Sequence, residues 1–176
     1  RPEQAVPEFK RARELGIDRL RLVNSLAQAQ YAAGQYEGAV EVYSRLREHV
    51  SDTRPDIVYN LGSSYLGAGD FERAEELIRQ AHKQGYRNQN SFNQWGLTLE
   101  MQGERQQALA KYVEGIEWGE RNNEPIGRVR KNLNRALAQD SPSPPTDWLA
   151  PVESDLGFAP WATLDQSSNG GTGSSP

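Results

Sequence analysis

His49 and His82 are the only histidines of this 176-residue chain, and cysteine is absent. A histidine can act as a general base or a metal ligand, but each role needs a partner group beside it. These two fall near the ends of different helical stretches and in different registers, so they cannot share a site. Both read as surface or cap residues. The lack of cysteine removes thiolate nucleophiles, thiolate metal sites and disulfides. Glu72, Glu75 and Glu76 would interest a carboxylate mechanism, but Arg79 follows Glu75 at i,i+4, the pattern of a solvated helix face. Gly67 and Gly69 in "GAGDF" form a Gly-x-Gly without the third glycine or the preceding strand of a dinucleotide loop. No Ser/His/Asp set and no phosphate-binding loop emerges. The reading is a non-enzyme, with no cofactor and no metal.

Charge excludes more. The net charge is −4, unevenly placed. Residues 1–138 hold all 20 basic residues against 19 acids, while residues 139–176 hold five acids and no base. A near-neutral body with an acidic tail is not a nucleic-acid footprint, which requires a basic patch. No run approaches the ~18 apolar residues of a membrane span. For location, the reading leans to a periplasmic or membrane-peripheral setting and leaves the cytoplasm open.

The elements that would position any site come from a repeat. "YAAGQYEGAVEVYSRL" (31–46), "LGAGDFERAEELIRQA" (66–81) and "EMQGERQQALAKYVEG" (100–115) align. Gly34, Gly69 and Gly103 coincide at spacings of 35 and 34 residues, as do Ala39, Ala74 and Ala108. Tyr43, Ile78 and Tyr112 follow four residues later. Upstream, Ala27, Gly62 and Gly96 are small, with Leu26, Leu61 and Trp95 before them and Val23, Val58 and Phe92 three residues further back. Val58, Leu61 and Tyr65 make one face of a first helix, and Phe71, Ala74, Ile78 and Ala81 one face of a second. Glycine costs about 0.5–1 kcal/mol against alanine inside a helix, so Gly62 implies a close approach of two backbones. The turn glycines suit a left-handed helix cap.

This pattern resembles the tetratricopeptide repeat family over about residues 2–138. The resemblance implies an all-α solenoid of helix-turn-helix repeats wound into a right-handed superhelix. The units expected are a partial leading repeat at 1–19 with its second helix only, full repeats at 20–54, 55–88 and 89–122, and a capping helix at 123–138. An acidic tail rich in Pro, Ser and Gly follows at 139–176, extended and largely irregular. "QAVPEFKRAREL" (4–15) repeats a second helix alone, so a first helix is expected upstream. The first full repeat departs from the pattern. Gln30 stands where Tyr65 and Leu99 are apolar, and Leu46 where Ala81 and Gly115 are small.

In such stacks the first helices line a concave groove. The resemblance places Arg21, Asn24, Ser25 and Gln28 outward on the first repeat, Asp56, Tyr59, Asn60 and Ser63 on the second, and Asn90, Asn93, Gln94 and Leu97 on the third. Amide side chains donate and accept, which suits the backbone of an extended peptide. One subclass of the family grips the C-terminal carboxylate of chaperones. Here Arg21 approximates the first-repeat Lys of that clamp and Asn60 matches its second-repeat Asn, but Ser25, Asn90 and Gln94 fill its remaining places, so the third repeat lacks the cations an anion needs. The tail carries Trp148, Leu149, Phe158 and Trp161 among prolines and acids, which reads as a docking segment. Extended, its 38 residues reach up to ~125 Å, so a partner's surface is the expected receiver.

The function implied is a non-catalytic protein–protein interaction module, a scaffold or assembly subunit of a larger complex. Its partners are proteins, as extended peptides or as subunits, with no nucleic acid and no membrane span in this chain. The alternatives are a regulatory array cut from a larger enzyme and a co-chaperone-type peptide binder.

Overall fold

The computed structural model describes residues 19–49 and 54–138. Among them lie seven helices and no strand: α1 (Arg19–Ala32), α2 (Tyr36–His49), α3 (Pro55–Ala68), α4 (Phe71–Lys83), α5 (Gln89–Met101), α6 (Arg105–Asn122) and α7 (Gly127–Ala138). The expected leading half repeat and the tail, with its four apolar anchors, lie outside the described residues.

Each hairpin turns on a glycine. Gly34, Gly69 and Gly103 have φ of +73°, +85° and +82°, the left-handed region where a side chain strains the backbone. Gly69 caps α3, its N–H bonding back to Leu66 O. One residue on, Asp70 caps α4 by accepting the Arg73 N–H at 3.1 Å. A short acceptor side chain thus satisfies a free N–H of the next helix's first turn directly after the turn glycine.

The small residues set the helix spacing. A Cβ on Gly62 would stand 3.1 Å from Ile78 Cγ1 and Leu77 Cβ on α4. A Cβ on Gly96 would fall inside the Tyr112 ring of α6. Ala39, Ala74 and Ala108 are fully buried opposite them. Large side chains fill the flanks in two linked cores. One holds Ala27, Tyr43, Leu46, Ile57, Leu61 and Ile78, the other Leu66, Ala74, Leu99, Tyr112 and Val129. Burying each large aliphatic side chain among them contributes about 1.5–3 kcal/mol. The departure at Gln30 is met by Gly38 on α2: a Cβ there would lie 2.9 Å from Gln30 Nε2. The polar side chain is accommodated by removing its neighbour's.

The helix α7 runs antiparallel to α6. Arg130 pairs with Glu120 near one end, and Arg105 Nη2 donates to Ala136 O at 2.9 Å near the other. Arg130 stands 34 residues after Gly96, in the small-residue register, yet is exposed. Arg130 thus puts a long charged side chain where the earlier first helices carry a small residue.

Candidate functional site

The row of first-helix residues starts from α1, α3 and α5, whose inward stripe is fixed by the cores behind them. Its exposure differs from the sequence expectation. Arg21 and Ser25 are exposed, and Gln28, Asn90 and Gln94 are half-buried. The other seven, Asn24, Asp56, Tyr59, Asn60, Ser63, Asn93 and Leu97, are buried. The expectation that all twelve face outward is corrected for these seven.

The reason is lateral packing. Second helices, the connecting loops and α7 reach over part of the polar row and bury it. There the groups find partners. Tyr43 Oη donates to Asn24 Oδ1 at 3.0 Å. Arg54 donates to both carboxylate oxygens of Asp56, at 2.9 and 2.7 Å. The Tyr59 ring lies 4.7 Å from that of Tyr86. Asn132 on α7 donates to Asn93 Oδ1 at 2.8 Å. Burial drives the Tyr43 hydroxyl pKa upward, so it stays a neutral donor.

One cross-repeat bond organises the open part. Ser63 Oγ on α3 donates to Gln94 Oε1 on α5. With its oxygen held, Gln94 keeps an amide nitrogen that has no partner among the described residues. Nearby in the row, Asn60 Oδ1 and Asn24 Nδ2 are buried without a hydrogen-bond partner among those residues. Such groups are few in folded proteins, and here they make the floor of the row polar.

His82 departs from its surface reading. It is buried, edge-on to Phe92 at 4.6 Å and to Trp95 at 5.0 Å between ring centroids. Burial first, then the charges of Arg87 and Lys111, lower its pKa to about 4. It is a neutral core residue at physiological pH. The His49 side chain lies outside the described residues. Glu72 and Glu76 are exposed on α4, as a solvated face requires. Among the described residues no three His, Cys, Asp or Glu side chains group as a metal cage, and no helix is long and apolar enough to cross a membrane.

What sequence reasoning missed is the lock on α7. Glu100 is buried on α5, and both its oxygens meet Arg135, at 2.6 and 2.8 Å. Tyr112 Oη adds a third bond to it at 2.8 Å. Arg121 and Arg130 likewise pair with Glu117 and Glu120. The basic end of the body is therefore largely neutralised internally. Only the 35-residue separation of Glu100 and Arg135, close to one repeat, hinted at this.

A family model described as "Tetratricopeptide repeat" matches residues 1–52 and 59–120. No curated protein matches the chain. Among solved structures, the Sgt2 TPR domain from Aspergillus fumigatus superposes with a TM-score of 0.57 at 22% identity, covering 73% of this chain and 86% of that one. At that identity the likeness is one of fold.

Proposed function

The chain belongs to the tetratricopeptide repeat family, whose domains are generally protein–protein interaction modules, and on that premise we propose that it is a scaffold or assembly subunit that binds an extended protein segment along α1, α3 and α5. The observation that carries this is Gln94, whose oxygen is held by Ser63 while its amide nitrogen keeps its donors. A donor fixed in place and already half desolvated loses little freedom on meeting a backbone carbonyl. Arg21, Ser25 and Gln28 extend the same accessible row toward the first repeat. A row of amides and hydroxyls with Arg21 as its one exposed cation suits an internal stretch of peptide better than a carboxylate terminus, which needs several charge-assisted partners. Asn60, the residue that matches the carboxylate clamp in the second repeat, is buried at 1% exposure, which counts against that alternative.

The test is selection of linear peptides from a randomised display library on the full chain. Gln94→Ala should then weaken the selected peptides two- to tenfold, about 0.5–1.5 kcal/mol for one hydrogen bond. Glu76→Ala, on the far face of α4, should leave them unchanged. Equal binding by parent and Gln94→Ala would overturn the reading.

A further inference from the structure

The two exposed large apolar side chains among the described residues are Val113 and Leu137, at 43% and 58% exposure. They are not scattered. Glu120 on α6 pairs with Arg130 on α7. Val113 lies seven residues before Glu120, and Leu137 seven residues after Arg130. Seven residues are two helical turns, which return a side chain to the same face. Because α6 and α7 are antiparallel, both steps run in the same direction in space. Val113 and Leu137 therefore flank one groove along the α6–α7 pair, a pair whose half-buried Leu109, Ile116 and Leu133 pack against the core.

Every earlier first helix has a second helix over this position. Beside α7 the small-residue register carries exposed Arg130, where a close helix approach would need a small residue, and the sequence that follows includes Pro142, Pro144 and Pro145, a residue type disfavoured inside helices. Among the described residues no helix lies over this groove.

We propose that the chain's own segment around Trp148 and Leu149 lies across this groove as an extended cover, closing the end of the array in place of a second helix. Position argues for this occupant over a separate protein. Residue 139 directly follows the last residue of α7, and Leu137 is part of the groove. Ten residues separate Ala138 from Trp148, up to about 31 Å in an extended Pro-rich chain, while the groove from Leu137 to Arg130 is about 10 Å long. Charge agrees. The segment 139–155 carries Asp140, Asp147, Glu153 and Asp155 with no base, and α7 carries exposed Lys131. A tethered segment also binds at high effective concentration, so a Trp-Leu pair of modest affinity suffices. This cover is independent of the row on α1, α3 and α5.

The chain lacks cysteine, so a nitroxide can be attached at one chosen place: exposed Asn134 on α7, through Asn134→Cys. Its effect is read on the four tryptophan indole signals of the full chain, assigned by Trp→Phe variants. The expected result is strong loss of the Trp148 signal at low concentration, abolished in a Val113→Glu, Leu137→Glu variant that retains its helical circular dichroism. If the glutamates unfold the array, Val113→Ala with Leu137→Ala replaces them. An unattenuated Trp148 signal overturns the proposal. So does attenuation that survives the groove variants, or that arises only between a labelled chain and a second, isotope-enriched one.

Discussion

Arg135 of α7 grips Glu100 of α5 at two points, 2.6 and 2.8 Å, across 35 residues of sequence. A buried carboxylate with its counter-charge removed is costly, so the pair matters more when broken than when replaced whole. Arg135→Ala should destabilise the array by about 3–5 kcal/mol, and Arg135→Met combined with Glu100→Gln by clearly less. Denaturant unfolding of both variants checks this. If the single and double variants unfold at the same midpoint, Glu100 does not depend on Arg135 for its charge.

A helix-contact glycine and a turn glycine should respond differently to substitution. Gly96 faces the Tyr112 ring, so Gly96→Ala forces two helices apart, an overpacking loss of about 1–3 kcal/mol or more. Gly69 meets no atom within 4 Å, so Gly69→Ala costs only its left-handed backbone, about 1–2 kcal/mol. Gly69→Asn should recover part of the second loss, because asparagine visits that region, whereas no residue larger than glycine rescues position 96. Equal rescue by asparagine at both positions would contradict the close approach of α5 and α6.

Acid should weaken the fold through His82. Its folded pKa of about 4 lies below the ordinary 6.5, so between those values the unfolded chain binds a proton that the folded chain refuses. Stability is therefore complete above pH 6.5 and falls as pH drops toward 4, by up to about 3 kcal/mol at 1.36 kcal/mol per unit. His82→Phe, which can keep the edge-on contacts with Phe92 and Trp95, should flatten that part of the stability–pH curve. An unchanged slope would place the acid sensitivity elsewhere.

These cases show which features were legible in the sequence. Gly34, Gly69 and Gly103 were, because a left-handed cap selects glycine by local sterics alone. Ala27, Gly62 and Gly96 were, because close helix approach constrains side-chain size at each repeat. The fold class followed from those positions. Exposure along the first helices was not legible. Asn24, Tyr59 and Asn93 share one register, and polarity suggested solvent, yet neighbouring elements bury all three. That burial depends on lateral partners such as Tyr43, Tyr86 and Asn132, which no local pattern names. Gln30 was visible as a departure, but its accommodation by Gly38 required the packed hairpin.

The row on α1, α3 and α5 is tested most directly by where a bound peptide lies. A photoreactive benzoylphenylalanine is placed in turn at Ser25, Gln28 and Gln94, and at Glu76 and Gln106 on exposed positions of the second helices. Each full-length variant is then irradiated with a library-selected peptide. Covalent adducts are expected from Ser25, Gln28 and Gln94, and none above background from Glu76 and Gln106. Adducts formed chiefly at Glu76 or Gln106 would contradict it, because the peptide would then sit on the outer helices.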